Sequence, residues 1–207
     1  MEDQMNLVYI HGNRATSNSF NFIRGKLGDY KDIVLDYDSV RGFYQNHDGM
    51  LRQLDGVDDV FFIAHSLGGI HALHLAHEMG ERVLGGVTLS TPYGGSEVAE
   101  MMACMLPFSQ VLRDIQPRST PIRSAKSIPI NVPWTNLVSI AGGTPLIPAP
   151  NDGVVTLHSM RHRSDIQSID VDCNHFEIVL NPDALAIIRL ELEQVQLALA
   201  RRIVVAA

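Results

Sequence analysis

The sequence predicts an α/β protein, a mostly parallel and doubly wound sheet with helices on both faces. Three observations lead there. Short apolar or β-branched runs recur at residues Asn6–Ile10, 32–37, 60–64, Val83–Leu89, 137–141 and 166–171, each bounded by Gly, Asp or Asn. Several lack polar alternation, as strands covered on both faces do. Helical patterns lie between them, and repeated strand-helix alternation closes into a parallel sheet flanked by helices.

Each element has its own signal. After the first strand, Phe20, Ile23 and Leu27 recur at three- and four-residue steps, one face of a short helix. Residues 66–79 are apolar around most of their circumference, with His71, His74 and His77 expected on a partly exposed face. From Ser96 to Pro133 the rhythm breaks. Met101, Met102, Met105, Leu106, Phe108 and Val111 form an apolar helix, and Pro117, Pro121, Pro129 and Pro133 then rule out a long one. Residues 96–133 therefore read as a cap-like insertion over one edge of the sheet. Its apolar part is either a Met-rich roof over a binding pocket, made by Met101, Met105 and Phe108, or one more core helix. The last helix is capped by Asn181, has Pro182 in its first turn, and carries Ala184, Ile188, Leu192, Val195 and Leu199 as one stripe.

Composition bounds what such a chain does. With 207 residues, 45% of them hydrophobic, one domain spanning 1–207 is expected. The net charge of −7 repels a phosphate backbone or an anionic membrane surface, so nucleic acid is not an expected partner. Cys104 and Cys173 are too few for a disulfide framework, lack CxxC spacing, and read as free thiols. MEDQMNLVYIHG is neither a signal peptide nor a membrane span, which makes a cytoplasmic location and no integral membrane association the expectation.

Chemistry enters at VFFIAHSLGGIHALHLA, residues 60–76, where an apolar strand meets an apolar helix with a serine at the junction. Ser66 stands between Ala64 and Gly68, a variant of the GxSxG pattern in which a strand turns sharply into a helix. Small neighbours let the turn strain and the adjacent chain approach. The backbone N–H of Leu67, at the helix N-terminus, then points to where a reacting carbonyl oxygen develops charge.

A serine hydroxyl needs a base, and the base an acid to orient it. Among the nine histidines, His65 adjoins the serine but points away along the strand, and His47 has no distinguishing context. His158 and His162 lie in polar HSMRHR, and His74 with Glu78 has metal-ligand spacing but no third ligand, so no metal is expected. His175, in CNHFEI between the last strand and the final helix, remains. Functional groups of a doubly wound sheet come from loops at the strands' carboxyl ends. After residues 137–141 the chain reads GGTPLIPAPNDGVV, and Asp152 is preferred there over Asp170 and Asp172, which lie on or beside the strand leading to His175. The second oxyanion donor falls to the backbone N–H of Asn13 in YIHGNRATSNSF. His11 beside it reads as a structural histidine bonding nearby backbone.

IHGNRATSNSFNF and AHSLGG resemble segments of the small bacterial α/β-hydrolases of the bacillary lipase type, where alanine likewise replaces the first glycine of the elbow. STPYGGS is similar to the segment after the next strand in many lipases, and NDGVV to the lipase loop that carries the triad aspartate. The resemblance runs from Asn6 to His175. It implies an α/β-hydrolase fold and hydrolysis of small-molecule or lipid carboxylic esters without metal or organic cofactor. In that reading Ser66 is the nucleophile, His175 the base and then the acid, and Asp152 orients His175, while Asn13 and Leu67 stabilise the oxyanion. Thioester or amide hydrolysis would use the same residues, and a non-catalytic binding member of the fold is the alternative from a different class.

Overall fold

A computed structural model describes residues 5–103, 105–106, 108–144 and 147–206, with 202–206 as backbone alone. Among them, six strands form one sheet: β1 (Asn6–Ile10), β2 (Lys31–Leu35), β3 (Val60–His65), β4 (Val83–Leu89), β5 (Trp134–Ser139) and β6 (Gln167–Val171). Their order is β2-β1-β3-β4-β5-β6, and each neighbouring pair is parallel. Around the sheet lie α1 (Asn21–Lys26), α2 (Phe43–Gln53), α3 (Leu67–Met79), α4 (Glu97–Ala103), α5 (Gln110–Asp114), α6 (Thr120–Ser127), α7 (Leu157–Met160) and α8 (Pro182–Ala206). The chain runs outward from β1 to β2, then returns across β1 to β3. The loops after β1 and β3 therefore part at a topological switch point, where open α/β sheets place their ligands.

Two apolar layers hold the sheet. On β3, Phe62 and Ala64 face one way and pack with Met50 of α2, Leu54 just after it, Ile70 and Leu73 of α3 and Ile122 of α6. Phe61 and Ile63 face the other way, against Ile23 of α1 and Ala184, Ile188, Leu192 and Val195 of α8. Side chains alternate between faces along a strand, so a strand buried on both faces is apolar throughout. Asn181 caps α8 as its position in the sequence suggested, its Oδ1 accepting from the N–H groups of Asp183 (2.8 Å) and Ala184 (3.1 Å). Asn181→Ala is expected to cost about 1 kcal/mol in urea unfolding, because two helix-end donors lose their acceptor.

One helix was not anticipated, and two expectations need correction. The helix α2 carries no clear apolar stripe in the sequence, because its buried face includes Asn46 and His47 beside Phe43 and Met50. Strand β5 begins at Trp134 rather than 137, since the polar Thr135 and Asn136 are buried strand residues with hydrogen-bond partners. The connection expected to be irregular after Val111 contains α6, with Pro121 in the first turn, where its missing N–H costs nothing, and Ser119 as N-cap. Cys104 lies outside the described residues, and Cys173 is a free, buried thiol that burial pushes up to about 11.

The Met-rich stretch is not a core helix. Met101 is 54% exposed, Met105 80%, and Phe108 94%. Among the described residues no helix is long and apolar enough to cross a membrane.

Candidate active site

Strand β3 is buried along its whole length and stops at His65, and α3 starts at Leu67, which leaves Ser66 alone to make the turn. It does so with φ 53° and ψ −122°. A side chain in that region costs about 1–3 kcal/mol and persists only where the surroundings enforce it. The enforcement is visible: the Ser66 N–H donates to the Leu89 carbonyl (2.8 Å), and its carbonyl accepts from Thr91 Oγ1 (3.2 Å). Gly68 presses against the carbonyl oxygens of Ile10 and His11, leaving no room for a Cβ. Gly12 closes the other side, since a Cβ there would stand 2.9 Å from His65 Nδ1 and 3.2 Å from Ser66 Cβ. The loop after β1 is thereby held against the serine.

The structure brings together the three side chains picked out in the sequence. Ser66 Oγ lies 3.0 Å from His175 Nε2, and His175 Nδ1 lies 2.7 Å from Asp152 Oδ2. Ser66 is partly exposed, whereas His175 and Asp152 are buried. The hydroxyl is open to a ligand while the groups behind it are sealed from water. Asp152 Oδ1 accepts from the N–H groups of Val154 (3.0 Å) and Val155 (2.8 Å), and Oδ2 accepts from the Ser139 hydroxyl (2.6 Å). Burial works to raise the carboxyl's pKa, but His175, Ser139 and Val155 outweigh it and hold Asp152 below the ordinary carboxylate value. The His175 N–H also donates to the Asp152 carbonyl (3.1 Å), so the two loops are bound at the backbone as well.

One contributor was not visible in the sequence. His65, set aside because it points away from Ser66, is buried and its Nε2 donates to the His175 carbonyl (2.9 Å). Burial, with the neighbouring His175 adding to it, pushes the His65 pKa down to about 3. A neutral ring thus ties the end of β3 to the loop carrying His175.

The other candidates fall into place around this centre. Leu67 is the first residue of α3, so its N–H has no partner within the helix. Asn13 is exposed in the turn that Gly12 holds against Ser66. His11 is buried, its Nδ1 donating to the Gly12 carbonyl (2.8 Å) and its Nε2 accepting from the Tyr37 N–H (3.3 Å), a structural role. Asp170 pairs with Arg161 at 2.6 Å and Asp172 is exposed.

Two of the helix α3 histidines correct the expected partly exposed face. His71 and His74 are buried, stacked edge or face on Phe43, and only His77 is exposed. The α2 residues Phe43 and His47 are what cover them. His74 bonds the Pro121 carbonyl and Glu78 bonds His47, so each side chain of the pair has a different partner. Among the described residues no group of three potential ligands converges.

No protein-family profile matches the sequence, and no curated protein matches it either. Solved structures do. A metagenomic carboxyl esterase, MGS0156, superposes with a TM-score of 0.70 at 15% identity, over 86% of this chain and 66% of that one. The mature lipase BlEst2 of Bacillus licheniformis gives 0.70 at 17% identity, over 94% of this chain and 93% of the other. The enol-lactonase of Burkholderia xenovorans LB400 gives 0.63 at 12% identity, over 92% of each. The chain spans 59% of the phospholipase PlaB of Legionella pneumophila, which it matches at 0.71 and 13% identity. A parallel sheet with a strained serine at the end of a central strand, and superposition along nearly the whole of two of these enzymes, give the chain the α/β-hydrolase fold.

Proposed function

We propose that this protein is a serine hydrolase of carboxylic esters. The observation that carries the reading is the hydrogen-bonded run from the partly exposed Ser66 Oγ through His175 to the buried Asp152, at 3.0 and 2.7 Å. The neighbours in fold, a carboxyl esterase, a lipase and an enol-lactonase, support the ester class.

In the first half-reaction Ser66 Oγ attacks the acyl carbonyl as His175 Nε2 takes its proton. The backbone N–H groups of Leu67 and Asn13 donate to the resulting oxyanion. Each such donor is worth about a hundred- to a thousandfold in rate. The alcohol leaves with the proton from His175, and water then releases the acyl group by the same route. Asp152, sealed from water, holds the His175 proton on Nδ1 and stabilises the imidazolium. The cap-like segment 96–133 receives the acyl or alcohol part on its exposed Met101, Met105 and Phe108.

The test is chemical. A fluorophosphonate probe is expected to label Ser66, and p-nitrophenyl esters to release p-nitrophenol. Ser66→Ala is expected to abolish labelling and to lower kcat by roughly 10^4- to 10^6-fold. Turnover that survives in Ser66→Ala removes the reading.

A further inference from the structure

Behind Asp152 stand two hydroxyls for which the acyl transfer has no direct use. Ser139 ends β5 and Ser90 follows the end of β4, and both are fully buried. Their Oγ atoms are 2.6 Å apart, and Ser139 Oγ is 2.6 Å from Asp152 Oδ2. The directions of these bonds follow from chemistry. A hydroxyl has one proton to give, and an ionised carboxylate only accepts. Ser139 therefore donates to Asp152, and its oxygen accepts from Ser90. The Met160 sulfur, 3.9 Å from Ser139 Oγ, is too weak an acceptor to compete.

The carboxylate is thereby filled. Oδ1 takes two backbone N–H groups, and Oδ2 takes His175 Nδ1–H and Ser139 O–H, four donors for about four lone-pair sites. Ser90 is also held at φ 51°, where glycine would sit without strain. Glycine would supply no hydroxyl.

We propose that Ser139, polarised by Ser90, is a positioning residue that keeps Asp152 a saturated acceptor aimed at His175, so that the proton taken from Ser66 stays on the imidazole. Donors in series strengthen one another in a dry interior. The inference rests on the serine-hydrolase reading above.

Ser139→Ala tests it on the full-length protein with a p-nitrophenyl ester. The expected result is a fall in kcat of about tenfold with KM within about twofold. The acid limb of kcat/KM should move to higher pH by about half to one unit, because a lost donor to the anion lets the Asp152–His175 pair hold a proton more tightly. Ser90→Ala should move the limb the same way by less, and Ser139→Thr, which keeps the hydroxyl, should return it. A purely structural serine would lower the amount of folded enzyme without moving the limb. An acid limb in Ser139→Ala that coincides with wild type overturns the proposal. If Ser139→Ala does not fold, an unshifted limb in Ser90→Ala does so instead. The two readings fail differently: wild type that resists the fluorophosphonate sinks the hydrolase assignment, whereas a reactive wild type with unshifted variants sinks only the role of Ser139 and Ser90.

Discussion

Asp152→Asn is expected to lower kcat by about 10^4-fold while leaving the fold intact, the magnitude being that of the corresponding change in a serine protease triad. The geometry gives the reason. The Val154 and Val155 N–H groups both point at Oδ1, so an asparagine must put its carbonyl there and its amide nitrogen where Oδ2 was. That nitrogen then donates toward His175 Nδ1, which must accept. The ring proton is driven onto Nε2, facing Ser66, where it cannot take the hydroxyl's proton. Steady-state kinetics near neutral pH measure the loss, and nitrogen chemical shifts of the imidazole report the exchanged tautomer. A fall of less than tenfold would mean that another acid orients His175.

Acidification from pH 7.5 to 5 is expected to destabilise the protein through two buried rings, His65 contributing roughly 2 kcal/mol of the loss and His71 adding to it. In the folded protein burial lowers His71 well below its usual value and His65 to about 3, with neighbouring imidazoles adding to both. In the unfolded chain both titrate near 6.5. The unfolded state therefore binds more protons below that pH. The neutral rings' contribution is complete above about 6.5 and is lost as pH falls below it; for His65 the loss runs down toward about 3 and reaches roughly 2 kcal/mol by pH 5. His71 offers a direct check. Its ring stacks on Phe43 at a centroid distance of 3.9 Å, and neither nitrogen has a hydrogen-bond partner among the described residues. His71→Phe replaces two unpaired polar atoms with carbon, and is expected to stabilise the protein at pH 7 by about 1–3 kcal/mol. Urea unfolding at pH 7.5 and 5 should also find a smaller loss on acidification than in the wild type. An unchanged difference between the two pH values would contradict the account.

What was legible in the sequence follows from what apolar patterning can carry. Strand β3, the turn at Ser66 and the helix α3 announce themselves because a buried strand and a packed helix demand apolar residues, and the small neighbours Ala64 and Gly68 mark the turn between them. Asp152 and His175 were reached through chain order and loop placement. The missed α6 comes from Pro121, which sits in its first turn, and the other failures share one cause, polar side chains used as core. Asn46 and His47 hid α2, Thr135 and Asn136 hid the start of β5, and His71 and His74 looked like surface. Burial of a polar group is decided by contacts elsewhere in the chain, such as Pro121 for His74, Glu78 for His47 or the Phe43 ring for His71, and no local pattern records it. Ser90 and Ser139 are the same case at the centre of the site, two ordinary strand-end serines until their neighbours are known.

The exposure of Met101, Met105 and Phe108 has an evolutionary corollary. The bonds that join Ser66, His175, Asp152, Ser139, Ser90 and His65 run between the ends of β3, β4, β5 and β6 and the loops that follow them. If, as proposed, Met101, Met105 and Phe108 receive substrate, mutational drift across residues 97–109 would reshape what the protein admits without loosening those ends. On that reading, selection would explore new molecules on that stretch while the reactive groups are inherited unchanged.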